Sequence, residues 1–176
     1  MGRGREFSAD ENEDSAVNTL YKVGLSHARH GKPKDAIYFF EKVLLVSPKH
    51  LQARFNKANA LGKLGRYEEA IAEYEVVLKS RPDHKISLLN KGLALHYLRR
   101  YEEAAACYQC ILSADPKNAS ALYQMACTRA LQGNLSESLG LLEMAIVYDS
   151  QFAAKAAIDP DLAILQGDKK FRALIS

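Results

Sequence analysis

The sequence contains no tryptophan, only three cysteines and almost no excess of either charge. Each shortage excludes something. An odd count of three thiols cannot form a closed disulfide framework and fits a reducing compartment. With 24 basic and 21 acidic side chains the formal charge is +3, too small a surplus to track phosphates, so nucleic acid is not expected as a partner. Apolar runs such as Val43–Val46 and Ala104–Cys107 fall far short of the roughly 20 residues that cross a bilayer, and no membrane partner is expected. Residues 1–14 lack the apolar stretch of a secretory signal, and Glu6 disagrees with an N-myristoylation pattern. They read as a disordered leader, with the cytoplasm as the expected location. No G-x-x-x-x-G-K, G-x-G-x-x-G, G-x-S-x-G or H-E-x-x-H string occurs, so the common nucleotide, acyl-transfer and zinc-hydrolase signatures are missing. Neither an enzyme nor a cofactor is expected.

What is present is a repeat. The 176 residues, 48% of them hydrophobic, suffice for one domain with its own core. Pro48, Pro82 and Pro116 are each 34 residues apart, and the strings Tyr67-Glu68-Glu69-Ala70 and Tyr101-Glu102-Glu103-Ala104 are identical at the same spacing. Ala36, Ala70, Ala104 and Ser138 share a register, as do Phe40, Tyr74, Tyr108 and Leu142.

Each unit reads as two helices. Leu51 to Lys63 and Tyr67 to Lys79 carry apolar residues at helical spacing. Between them Gly65 suits a tight turn that needs positive φ, and Gly31 and Gly133 recur in that role. The prolines cannot continue the second helix and push the preceding residue out of the α region. Small residues at Gly24, Ala58, Gly92 and Cys127, and again at Ala36, Ala70 and Ala104, let paired helices approach, with Phe40, Tyr74 and Tyr108 filling the space beside them. Replacing Ala70 or Ala104 by Leu is expected to overpack that seam at a cost of about 1 to 3 kcal/mol.

The period, the small residue at repeat position 8, the Ala at 20, the aromatic at 24 and the Pro at 32 resemble the tetratricopeptide repeat. The resemblance implies an all-α, right-handed superhelical α-solenoid of antiparallel helix pairs, with four 34-residue repeats over residues 15–150 and a C-terminal helical cap. The units run at about 17–50, 51–84, 85–118 and 119–150. Three match strongly. The fourth has Ser138, Leu142 and Ser150 where Ala, an aromatic and Pro are usual, and the family's Trp at position 4 is replaced throughout by Leu20, Arg54, Leu88 and Leu122.

Residues 151–176 read as the cap that a stacked array needs to cover its apolar edge. Phe152 to Ile158 can form a short helix. Asp159-Pro160 then reads as an N-cap with Pro at the first helical position, and Gly167-Asp168 as a stop followed by a second N-cap. Leu162, Leu165, Phe171, Leu174 and Ile175 give these pieces an apolar face. Such an ending argues against a fragment of a longer regulatory chain or enzyme.

Candidate ligand-bearing residues are few. Cys107 and Cys110 form a C-x-x-C, but inside a helix and without a second pair, so they read as packing residues. His27 and His30 have no carboxylate or thiol cluster beside them, and no metal site is expected. His50 and His84 follow the repeat prolines and read as turn residues.

Function is therefore expected on the face which, in this family, is lined by first helices. The candidate peptide contacts are Asn56, Asn59, Lys63, Asn90, Tyr97, Tyr123 and Gln124. Asn56 and Asn90 share a register, with Lys22 before and Gln124 after, as a partial amide ladder able to pair with an extended backbone. Lys22, Arg29 and Lys63 favour an acidic ligand. Relatives that bind chaperone tails grip a terminal carboxylate with two asparagines and three cations. Here Asn59 and Asn90 stand at the asparagine positions, but Phe55, Ser120 and Gln124 occupy the cation positions. The alternative frame, Tyr21, Leu25, Asn56, Ile86 and Asn90, does no better, so chaperone tails are not expected to bind tightly. The reading is a non-catalytic adaptor that binds an extended peptide or a helix of a partner protein. The alternative is a structural subunit that forms a homo-oligomer or scaffold through its convex face or its ends.

Overall fold

The computed structural model describes residues 9–176, and every regular element among them is helical. The helices fall into two compact units, divided along the chain between Ser80 and Arg81. Of the leader expected to be disordered, residues 1–8 lie outside the described residues. From Ala9 onward the chain is already helical, since no Gly or Pro interrupts it between Gly4 and Gly24 and the packed turns can propagate upstream.

The first unit holds α1 (Ala9–Arg29), α2 (Pro33–Val46), α3 (Leu51–Lys63) and α4 (Tyr67–Ser80). Each packs on the next, and α1 also touches α3. The core lies along the seams, where Ala36, Phe40, Val43, Ala53, Ala58, Leu61, Ala70 and Tyr74 are buried. Arg54, standing where the family places an aromatic, is held by ion pairs instead. Its guanidinium donates to Glu73 at 2.7 Å and to the Pro48 carbonyl at 3.0 Å, and Lys57 bridges Glu73 at 3.1 Å and Glu41 at 3.0 Å.

The second unit holds α5 (Lys85–Tyr97), α6 (Tyr101–Ala114), α7 (Ala119–Leu131) and α8 (Leu135–Tyr148). It ends in α9 (Gln151–Ile158), a 3₁₀ helix (Pro160–Leu165) and α10 (Lys169–Leu174). The 3₁₀ helix lies on α7, while α9 and α10 lie on α8. Leu162, Leu165 and Phe171 of this ending are fully buried. Asp159 caps the 3₁₀ helix by accepting from the Asp161 amide, and Asp168 caps α10 by accepting from Lys170 and Phe171.

The seams explain the small residues. A Cβ on Gly24 would lie 2.7 Å from the Phe40 ring, and one on Gly92 would lie 2.5 Å from the Tyr108 ring. In the fourth pair the residue in register is Ala126 rather than Cys127, because 34 residues after Gly92 is 126. Ser138, in place of Ala, is buried and donates its hydroxyl to the Ala126 carbonyl at 2.7 Å. Gly31, Gly65 and Gly133 turn between helices at φ of 69, 73 and 82°, and in the remaining pair Arg99 takes the same left-handed conformation at φ 60°. His50 and His84 are N-caps: their ring nitrogens accept from the amides of Ala53 and Ser87, and Asn118 does the same for Ala121. No helix among the described residues is long and apolar enough to cross a membrane.

Candidate functional site

In the first unit the candidate contacts begin on α3. Asn56 donates its amide to the Tyr21 hydroxyl at 3.0 Å and to the Gln52 carbonyl at 2.8 Å, tying α3 to α1. Asn59 accepts from the Tyr74 hydroxyl at 2.6 Å, tying α3 to α4. Both amides are thus partly spent inside the fold. Lys63 ends the helix, exposed, and like Lys22 and Arg29 it has no carboxylate within ion-pair distance among the described residues. From Ser15 to Arg29, and through the whole of α3, there is no Asp or Glu. The same holds for α5 and α7; the acidic residues of the pairs lie at the start of α1, on the second helices and in turns. From Ser15 onward the charged groups of the first helices are therefore all basic.

In the second unit Asn90 and Gln124 are half-buried and Tyr97 is exposed, with its ring edge-on to His96 at 5.9 Å. Tyr123 differs from the expectation. It is fully buried, and its hydroxyl donates to Asp159 Oδ2 at 2.6 Å, so it offers no surface to a ligand. Its ring stacks on Phe152 at 4.6 Å, with the Lys155 ammonium 4.3 Å from its centre. Burial, and then the Asp159 bond, raise the Tyr123 hydroxyl far above the usual phenol range.

Around Tyr123 lies a polar cluster built from three elements. His96 of α5 is buried. Thr128 of α7 donates its hydroxyl to the Gln124 carbonyl at 2.9 Å, so its oxygen accepts from His96 Nδ1 at 3.0 Å. His96 Nε2 then faces Asp161 Oδ2 at 2.9 Å. Cys127 Sγ lies 3.9 Å from Asp159 Oδ2, and burial together with the two aspartates pushes its thiol well above the ordinary range. The thiol and the two carboxylates lie within 4.8 Å of one another. Tyr123 and His96 thus give each of the two carboxylates a partner within the fold. The sequence alone places His96 and Thr128 on first helices and Asp159 at a helix cap. Their convergence carries no local signal, because it joins positions 32 to 65 residues apart.

The other candidate groups do not converge. Cys107 is buried and Cys110 exposed on the same helix, and neither is bonded to the other. His27 stacks on Phe39 at 5.1 Å and lies 3.5 Å from Asp35, while His30 contacts the Ser26 carbonyl.

A model of the tetratricopeptide repeat matches the chain at residues 21–85, 55–119 and 89–157. No curated protein matches it. Several solved structures share the fold. A MamA fragment from Desulfovibrio magneticus RS-1 superposes with TM-score 0.76 at 18% identity, over 90% of this chain and 88% of that one. TTC0263, a thermophilic tetratricopeptide protein of Thermus thermophilus, gives 0.70 at 18% over 90% and 87%. YrrB, described as having an unusual peptide-binding site, gives 0.73 at 23% over 82% and 75%. Helix pairs, seam residues and the matched family model together place this chain in the tetratricopeptide repeat family.

Proposed function

We propose that the chain is a non-catalytic protein-interaction module that holds an acidic segment of a partner protein against its first helices. The observation that carries this is the charge segregation: α1 from Ser15, and α3, α5 and α7, contain no acid, and Lys22, Arg29 and Lys63 have no carboxylate within ion-pair distance among the described residues. A cationic face of this kind steers acidic partners and discriminates against basic ones. In the first unit Asn56, Asn59 and Lys63 would meet the ligand; in the second, Asn90, Tyr97 and Gln124 would. Tyr123 would join them only with the C-terminal segment moved aside. The fold supports the reading, since YrrB, which shares it, is described as having a peptide-binding site.

Calorimetry with an acidic peptide of about 15 residues tests it. Binding should weaken as salt rises, and the triple change Lys22→Ala, Arg29→Ala and Lys63→Ala should weaken it about tenfold. Equal affinity for a charge-reversed peptide would sink the reading. Self-association through second helices is the competing reading, favoured by the exposure of Leu45 (76%) on α2 and Val147 (74%) on α8. A mass by light scattering that grows with concentration, and reverts to the monomer in Leu45→Lys or Val147→Lys, would favour it.

A further inference from the structure

The cluster around Tyr123 has a property that its role in packing leaves unexplained: its donors sit on helices that contain no acid, and both carboxylates they hold come from one short segment far along the chain. His96 and Thr128 are two of only four buried polar residues among those described. Thr128 meets the His96 ring, and His96 in turn meets Asp161 of the run Asp159-Pro160-Asp161. Pro160 fixes the backbone between the two acids, Asp159 reaches Tyr123 and Asp161 reaches His96. Leu162 and Leu165 follow on the same 3₁₀ helix and are buried. The arrangement is that of a docked peptide whose two carboxylates are read by a phenol and an imidazole and whose two leucines anchor it.

We propose that His96, Thr128, Tyr123 and Cys127 form a binding site for segments of the pattern Asp-X-Asp-Leu-X-X-Leu, that residues 159–165 are its built-in occupant, and that a partner segment of this pattern enters by displacing them. The inference rests on the first-helix faces taking acidic ligands and names the sequence that one of them takes. A carboxylate pair alone would not suffice, because the buried leucines must be replaced in the same register. The 3₁₀ hydrogen-bond geometry of the resident segment is poorer than that of an α-helix, which makes it the weaker side of the exchange. Held on the same chain, it competes at an effective concentration on the order of millimolar, so the intact protein binds such ligands weakly until the resident is loosened.

The probe is a fluorescent synthetic peptide of residues 158–176, followed by anisotropy against the full chain. It should bind the Asp159→Asn/Asp161→Asn chain at least about tenfold more tightly than the unaltered chain, because apparent affinity scales with the fraction of open sites. Adding Tyr123→Phe to that variant should remove most of the gain. Equal binding to both chains, or none to either, overturns the proposal. Should the double variant fail to fold, hydrogen exchange on the unaltered chain decides. Saturating peptide must deprotect the amides of residues 162–171, and unchanged protection overturns the displacement. An acidic peptide whose binding is lost on changing Lys22, Arg29 and Lys63, yet ignores Tyr123→Phe, leaves the broader function standing and this site refuted.

Discussion

The Tyr74 hydroxyl donates to the Asn59 amide oxygen across 2.6 Å, and the residue 34 positions after each breaks the relationship: Tyr108 faces a register in which Leu93 stands where Asn59 did. Tyr108 is fully buried and its hydroxyl meets no partner among the described residues. In the first pair the same two positions are Leu25 and Phe40, apolar on both sides. The aromatic and the residue facing it are matched in the first two pairs and mismatched in the third.

Removing the two hydroxyls should therefore have opposite effects. Tyr74→Phe leaves Asn59 short of a donor and should lower stability by about 1 kcal/mol, whereas Tyr108→Phe removes an unsatisfied buried hydroxyl and should raise it by about 1 kcal/mol. Urea midpoints followed by circular dichroism separate the two.

Backbone substitutions should also divide by site. Gly92→Ala drives a methyl into the Tyr108 ring and should cost about 1 to 3 kcal/mol. Gly140→Ala, inside α8 with open space around it, should gain about 0.5 to 1 kcal/mol from helix propensity. Arg99→Gly relieves a left-handed conformation that glycine adopts freely, as it does at Gly31, Gly65 and Gly133, and should gain about 1 kcal/mol. Thermal melts of the three variants would rank them Arg99→Gly and Gly140→Ala above the unaltered chain and Gly92→Ala below.

The thiols and phenols give the fold a pH dependence on the alkaline side. Burial raises Cys127, Tyr108 and Tyr123 above their ordinary values. Below about pH 8 these groups are neutral in both folded and unfolded chains and contribute no slope. As pH passes about 8.5 for thiols and about 10 for phenols, the unfolded chain loses protons that the folded chain keeps, so stability falls. Urea midpoints should drop between about pH 8 and about pH 10.5, less steeply in Tyr123→Phe. At about pH 8, iodoacetamide should modify the exposed Cys110 and spare Cys107 and Cys127 until the chain unfolds, read by peptide mass spectrometry.

The helix pairs are legible in the sequence because their determinants are local: prolines at a fixed period, a small residue sixteen before an aromatic, glycine at each turn but one. Arg99 escapes that pattern, since nothing in the residue type announces a positive φ. The capping role of His50 and His84 is within reach through Asn118, a conventional cap 34 residues after His84, but histidine is not a common cap. The first-helix positions can be enumerated from the register, yet their occupancy cannot. Asn59 is turned toward Tyr74 by a bond 15 residues distant, and Tyr123 is covered through one of 36. A period describes what recurs; the segment that covers Tyr123 occurs once.

The unequal burial of the first helices bears on how this chain can change over generations. Eight of the thirteen residues of α7 are buried, against four of thirteen in α3. Covered by its own partner helices and by the 3₁₀ segment, α7 is read on almost every side, so few of its positions can drift without a compensating change elsewhere. On α3, substitutions at the exposed positions are nearly neutral for folding. New partner preferences should therefore be acquired first on the early pairs of the array, while the last pair stays fixed as its anchor.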